Sequence, residues 1–125
     1  ANRTHEKAIF MKKKFPFIDI LSLNEVPQKI SEFDIIINAT SLGLKNGEQF
    51  NVNLDGLSDK SIFIDTIYNP LETKIIKHLK GKNIKTFNGL DMLIYQGQKS
   101  FYIWNRINPE IDDELIQLLE NRIKC

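Results

Sequence analysis

Cysteine is nearly absent from this chain of 125 residues, which has one, Cys125, at its last position. A single thiol cannot form an internal disulfide, so nothing indicates an oxidising compartment. Long apolar runs are also lacking, because none approaches the roughly 20 residues of a membrane span. Arg3, Glu6 and Lys7 interrupt the start, where a signal peptide would lead into an apolar segment. We therefore expect a cytoplasmic protein without a membrane partner.

An excess of one charge is missing too, since 17 basic and 16 acidic side chains leave a formal net charge of +1. Nucleic-acid partners select strongly basic surfaces, so we expect none here. The histidines, His5 and His78, lie far apart, and no spacing of cysteine, histidine and acidic residues indicates a metal site. Hydrophobic residues make up 42% of the chain, which allows one domain with a real core.

Short apolar runs alternate with helical patterns along the chain. The predicted strands are 17–21, 34–38, 61–65 and 84–87; the predicted helices are 5–14, 25–30, 70–80, 89–104 and a last one from Pro109; residues 45–60 are a predicted loop. This alternation favours an α/β domain with a Rossmann-like, doubly wound parallel sheet covered on both faces. In such a domain ligands bind at the carboxyl ends of the strands.

Helical spacing predicts which side chains face inward. In the first helix these are Ala8, Ile9 and Met11, and in the long helix the core side is predicted to hold Leu90, Leu93, Ile94, Phe101 and Trp104. Met92 and Gln96, four residues apart, share another face of the long helix. Gln96 offers a donor and an acceptor to a polyhydroxylated ligand, or is simply exposed to solvent. Gly97 costs about 1 kcal/mol relative to alanine in mid-helix, so we expect close packing or ligand approach there.

Two of the predicted strands end in polar residues. The stretch NATSLGL, residues 38–44, follows the first, and DTIYNP, residues 65–70, closes the second. Hydroxyl groups there can donate to a ribose or an amide, and Gly43 allows close approach of a ligand. Ordinary turns use the same residue types, and Tyr68 could instead staple its loop. Both a ligand site and a pair of turns therefore stay open.

Arg3 stands at the start of the first helix, with Thr4 as the predicted N-cap and Lys7 one turn further on. In dinucleotide-binding folds, an arginine near this place accommodates the 2′-phosphate of the adenosine ribose. A guanidinium group binds phosphate through two parallel, charge-assisted hydrogen bonds. The alternative is an ordinary surface arginine before a helix.

The order of four motifs resembles the carboxyl-terminal half of the shikimate dehydrogenase family: NRT before a helix, then DIIINATSLGL, DTIYNPLET and NGLDMLIYQGQKSFYIW. The resemblance runs from Asn2 to about Pro109. It implies an NADP-dependent oxidoreductase of the shikimate pathway, in aromatic amino-acid biosynthesis, that reduces 3-dehydroshikimate to shikimate. It also implies that residues 1–125 are the carboxyl-terminal part of the NADP-binding domain, including its last helices.

The resemblance further implies roles for individual residues. They are Asn2, Arg3, Thr4 and Lys7 at the adenosine 2′-phosphate; Asn38, Thr40, Ser41 and Gly43 beside the cofactor; Thr66, Ile67, Gly89 and Met92 at the nicotinamide; and Tyr68 and Gln96 at the substrate. No catalytic residue is assigned, because the family's catalytic lysine and aspartate belong to an amino-terminal substrate domain. Lys7 and Gln98 depart from the family, which often has arginine and a small residue there.

Parts of the family pattern are missing from this sequence: the first strand, the glycine-rich turn and the substrate domain. The chain also begins without methionine, so we expect a piece of a longer or processed protein that associates with the missing segment or with itself. Alone, it is expected to be inactive and to expose a sheet edge. The alternatives are a non-catalytic NADP-binding or interaction fragment and a quinate/shikimate dehydrogenase. Arg3 favours NADP over NAD.

Overall fold

The computed structural model describes residues 1–44 and 52–124, which fall into two compact units. The first unit is Ala1–Asp34 with Asn51–Ser58, and the second is Ile35–Phe50 with Asp59–Cys125. The predicted loop over 45–60 lies partly outside the described residues, and Cys125 lies wholly outside them. Within the described part, no helix is both long and apolar enough to cross a membrane.

The first unit contains helix α1 (His5–Lys14), the short helix α2 (Val26–Lys29) and a 3₁₀ turn, Ile30–Glu32. Its buried apolar side chains are Ile30, Val52 and Leu54. Helix α1 begins where predicted, but it buries none of its residues, and Met11 is 45% exposed. The predicted inner face of Ala8, Ile9 and Met11 is therefore not buried, because no described helix or strand of this unit covers it.

The strand predicted at 17–21 is wrong. Residues 16 and 17 form a turn and residues 18–21 have no regular structure. Phe17 is 84% exposed and meets Phe15 edge-to-face. A β-forming composition produces a strand only where a neighbouring strand takes up the backbone hydrogen bonds, and the described part of the chain offers 17–21 no such neighbour.

The second unit is built on a parallel sheet of three strands, β1 (Ile35–Asn38), β2 (Ile62–Asp65) and β3 (Lys85–Phe87), in that order. The predicted parallel α/β architecture is confirmed for this part. Asn38 lies opposite Asp65 in the register of β1 and β2, so these two strands end level with each other in polar side chains.

Three helices complete the second unit: α3 (Lys74–Lys80), α4 (Leu90–Asn105) and α5 (Asp113–Lys124). Both α3 and α5 begin later than the prolines predicted, because a capping side chain sets each start. The Thr73 hydroxyl accepts from the Ile76 N–H at 3.4 Å, and the Asp112 carboxylate accepts from the Leu115 N–H at 2.8 Å. The buried apolar side chains of this unit are Phe63, Ile67, Ile76, Leu79, Ile84, Leu90 and Ile94.

Two apolar surfaces of this unit stay uncovered among the described residues. β1 is an edge strand, as expected, but Ile37 on one of its faces is 59% exposed, so the predicted cover on both faces is absent. In α4 only Leu90 and Ile94 are buried, while Trp104 is 78% exposed. The prediction that Phe101 and Trp104 belong to the core is therefore wrong for the described structure, in which no residue in the second half of α4 is buried.

Candidate functional site

The carboxyl ends of β1 and β2 open onto one cavity of about 510 Å³ in the second unit. Its lining residues are Thr40, Ser41, Leu44, Thr66, Ile67, Tyr68 and Asn69. The two polar strand ends therefore lie at one cavity, where a ligand is expected in a parallel α/β sheet. Five predicted site residues come together here, and the cavity adds two that were not predicted, Leu44 and Asn69.

Asn38, at the end of β1, is buried and does not line the cavity. Its side-chain oxygen accepts from the Thr40 N–H at 3.1 Å and the Thr40 hydroxyl at 2.7 Å. Its amide nitrogen donates to Asp65 Oδ1 at 3.1 Å and to the Leu42 carbonyl at 3.4 Å. Both ends of the Asn38 amide are thus engaged within the protein, where they shape the 38–42 turn.

The threonine hydroxyls at the cavity donate into the protein. Thr40 Oγ1 donates to Asn38 Oδ1, and Thr66 Oγ1 donates to the Asn38 carbonyl at 2.9 Å. A hydroxyl group has one proton to donate, so in this arrangement the two hydroxyls are left as acceptors, and Thr40 Oγ1 already accepts from the Leu42 N–H at 3.2 Å. Such acceptors suit a ligand that presents N–H or O–H groups, and donation from these hydroxyls to a ligand stays a prediction.

Glycines shape the walls of the cavity. Gly43 has a φ of +102°, a left-handed conformation that side chains rarely tolerate, in the turn closed by the Leu44 N–H to Ser41 carbonyl bond. Gly89 donates its N–H to the Ile67 carbonyl at 2.9 Å, and a Cβ on it would lie 2.1 Å from the Thr66 carbonyl oxygen. Gly89 therefore lets the start of α4 press against the 66–67 segment.

Met92 and Gln96 lie on the exposed side of α4 and are not among the residues that line the cavity. A Cβ on Gly97 would have no neighbour within 4 Å in the described structure. The close packing expected at Gly97 is therefore absent among the described residues. The roles predicted for Met92 and Gln96 stay predictions, as does ligand approach at Gly97.

Asp65, at the end of β2, is the polar residue whose role the sequence arguments missed. Its side chain is fully buried, with three hydrogen-bond donors and no paired cation among the described residues. The available signal was its register opposite Asn38, since two polar side chains closing neighbouring buried strands are placed to bond each other.

The remaining predicted residues belong to the first unit. Asn2, Arg3, Thr4 and Lys7 are exposed at the start of α1. Thr4 occupies the N-cap position without a side-chain capping bond, and its N–H donates to Asn2 Oδ1 at 2.8 Å. Asn2 and Lys7 also line a cavity of about 650 Å³ along α1 and residues 18–20. The helix start therefore combines exposed cations with uncapped backbone N–H groups.

The carboxyl groups with shifted pKa values among the described residues, Glu25 and Glu72, are not among those that line the 510 Å³ cavity. Hydrogen bonds from Ser22 lower the pKa of Glu25, and a hydrogen bond from Lys80 lowers the pKa of Glu72. Both side chains are exposed, and their shifts reflect surface pairing. Among the described residues there is no group of three or more side chains able to hold a metal ion.

No protein-family model matches the chain. A shikimate dehydrogenase (NADP(+)) from Pelagibacter ubique (strain HTCC1062) is 48% identical over 120 residues, covering 96% of this chain and 44% of the relative. The crystal structure of Aquifex aeolicus shikimate dehydrogenase aligns with a TM-score of 0.76 and 39% identity, over 87% of this chain and 39% of that one.

A second solved structure is the Thermus thermophilus shikimate 5-dehydrogenase in complex with NADP(H) and shikimate. It aligns with a TM-score of 0.78 and 25% identity, over 98% of this chain and 44% of that one. The chain thus spans less than half the length of each of these relatives.

Proposed function

Because the chain is homologous to the carboxyl-terminal part of the shikimate dehydrogenases, we propose that it supplies the NADP-binding portion of such an enzyme. The reaction proposed for the whole protein is reduction of 3-dehydroshikimate to shikimate, with the hydride supplied by bound NADPH. The observation that carries the proposal is the shared cavity at the ends of β1 and β2, the edge of a parallel sheet where nucleotide cofactors bind.

The cavity suits the nicotinamide end of the cofactor. Thr40 and Thr66 present hydroxyl oxygens that accept hydrogen bonds, and a carboxamide or a ribose brings the matching donors. Ile67 adds an apolar wall for the ring, and the Gly89 contact holds the Ile67 segment against α4. In this proposal the residues orient the ring, and the hydride chemistry belongs to the cofactor.

The start of α1 suits the adenosine end. Uncapped N–H groups and the helix dipole favour an anion there. In the proposal the Arg3 guanidinium pairs with the 2′-phosphate, the Asn2–Thr4 turn holds the helix entrance, and Lys7 adds charge one turn away. NAD lacks this phosphate, so Arg3 would give the preference for NADP.

Substrate contacts are proposed for Tyr68 and Gln96. The Tyr68 ring lines the cavity while remaining 41% exposed, which leaves its hydroxyl able to meet a polyhydroxylated acid. Gln96 would add one donor and one acceptor from α4. No general acid or base is assigned to this chain, so these residues would bind and orient the substrate while the proton at the reacting oxygen is managed elsewhere.

The test is a titration of 2′,5′-ADP against the wild-type chain, Arg3→Ala and Lys13→Ala. A charge-assisted bidentate contact is worth ~1.5–3 kcal/mol, so Arg3→Ala should weaken binding about tenfold or more. Lys13→Ala removes an exposed charge at the other end of α1 and should leave the affinity unchanged. Equal affinities for the wild type and Arg3→Ala would remove the phosphate contact from the proposal.

A further inference from the structure

Asp65 is a buried carboxylate that the proposed cofactor contacts leave unused. It is 0% exposed and is not among the residues that line the cavity. Oδ1 accepts from Asn38 Nδ2 at 3.1 Å and from the Ile67 N–H at 3.2 Å, and Oδ2 accepts from the Thr73 hydroxyl at 2.8 Å. A buried charge is tolerated only when such donors replace water, so three donors stand here in place of a counter-ion.

These three donors come from three different segments: the end of β1, the loop after β2 and the start of α3. The first two segments continue into the cavity wall. Asn38 holds Thr40, and Ile67 lines the cavity itself. The Thr73 methyl carbon lies 3.5 Å from the position that a Cβ on Gly43 would take, so Thr73 packs under the 41–44 turn. One carboxylate therefore ties together the two strand-end loops that line the cavity.

We propose that Asp65 is a positioning residue: its carboxylate fixes the spacing of the two strand-end loops so that they accept the nicotinamide end of the cofactor. The inference rests on the proposed function and deepens it. Asp65 acts through Asn38 and Ile67 and touches no ligand. The proposed 2′-phosphate contacts lie in the other unit, at Arg3, so Asp65 should govern the nicotinamide end alone.

Two substitutions remove the tie with little change in shape. Asp65→Asn discards the charge and turns an amide N–H₂ toward the Thr73 hydroxyl, which then has to accept instead of donate. Thr73→Val keeps both branches of the side chain but removes the hydroxyl, which serves Oδ2 and also caps α3 by accepting from the Ile76 N–H. Thr73→Ser keeps the hydroxyl and is the matched control, because Thr73 is buried and does not line the cavity.

The experiment uses the whole chain and measures two affinities for each variant. NADPH is followed by its nicotinamide fluorescence, and 2′,5′-ADP, which has no nicotinamide, by calorimetry. Asp65→Asn and Thr73→Val should each weaken NADPH binding about tenfold, equivalent to ~1.4 kcal/mol, and leave 2′,5′-ADP binding within about twofold. Thr73→Ser should match the wild type for both ligands.

Several outcomes would overturn the inference. One is wild-type NADPH affinity in both Asp65→Asn and Thr73→Val. Another is an equal loss of affinity for both ligands, which would indicate general destabilisation. A third is a wild type that binds NADPH no more tightly than 2′,5′-ADP. If Asp65→Asn fails to fold, the Thr73→Val and Thr73→Ser pair decides, with NADPH binding measured under conditions where urea denaturation shows both variants to be fully folded. Failure of the proposed function is separate, because Arg3→Ala would then bind 2′,5′-ADP as the wild type does.

Discussion

The two units of the chain differ in how much of their apolar surface they bury. In the first unit the longest helix, α1, buries none of its residues, and the described core consists of Ile30, Val52 and Leu54. In the second unit a three-stranded sheet buries Phe63 completely, and polar side chains closing its strands are buried and hydrogen-bonded. The second unit is therefore the better packed of the two.

The proposed ligand contacts are divided between the same two units. A phosphate is recognised by exposed cations and free N–H groups, which an exposed helix start can offer without a core around it. A nicotinamide ring needs walls at a fixed distance, which only packed loops provide. We infer that the first unit could contribute charge while poorly packed, whereas the second unit must be folded to contribute anything.

The largest expected effect concerns turnover, which neither unit should support. The described residues offer acceptors, an apolar wall and a helix start proposed to bind phosphate, but no assigned proton donor at the reacting oxygen. We expect the chain alone to show no NADP-dependent oxidation of shikimate. The measurement is the absorbance of the NADPH that the reaction would form. Fusion to the part of the Pelagibacter ubique relative that this chain does not match should restore turnover.

The control for that experiment is the same fusion carrying Arg3→Ala, which should retain the fold but need more NADP for half-maximal rate. Turnover by the 125-residue chain on its own would show that the division of roles between this chain and the rest of its relatives is wrong.

The next effect tests how tightly the second unit is packed. Gly89→Ala places a Cβ 2.1 Å from the Thr66 carbonyl oxygen, so α4 must move away from the cavity wall. Overpacking of this kind costs ~1–3 kcal/mol, and we expect a loss near the upper end, measured by urea denaturation. NADPH binding should weaken as well, because the Ile67 segment loses its support.

Gly97→Ala is the matched control in the same helix. A Cβ there meets nothing within 4 Å, so the substitution should stabilise α4 by about 1 kcal/mol through helix propensity alone. A loss of stability in Gly97→Ala as large as that in Gly89→Ala would mean that the Thr66 contact is not what makes glycine necessary at position 89.

The sequence predicted most of the second unit. β1, β2 and β3 are short runs that each contain β-branched residues. Their alternation with helical patterns was enough to predict a parallel sheet. The level polar ends of β1 and β2 follow from that arrangement. The direction of the hydrogen bonds at these strand ends does not follow from the sheet arrangement. The hydroxyls of Thr40 and Thr66 donate to Asn38 because the folded chain brings its acceptor oxygens close to them.

The errors share a physical cause. Residues 17–21, the inner face of α1, the exposed face of β1 and the second half of α4 were all expected to be buried or paired, as their apolar side chains suggest. Each needs a partner surface that the described residues do not provide. The later starts of α3 and α5 have a different origin, since Thr73 and Asp112 cap these helices more effectively than a proline upstream can start them.

The smallest expected effect is a substitution in α1, and it tests the comparison of the two units most directly. Met11 is 45% exposed and lines the 650 Å³ cavity of the first unit. Met11→Ala should change the free energy of unfolding of this chain by no more than about 0.5 kcal/mol. Ile76→Ala, in the core of the second unit, should cost ~2–5 kcal/mol.

In the fusion with the remainder of the relative, the same Met11→Ala substitution should lower the free energy of unfolding much more, because a covered methionine loses both burial and packing when truncated. A rise in the loss of unfolding free energy from about 0.5 to at least ~2 kcal/mol, measured by urea denaturation, would show that another part of the whole protein covers the cavity along α1. An equally small effect in the fusion would mean that α1 is an outer helix in the whole protein, and its exposed start would then be its only contribution to the site.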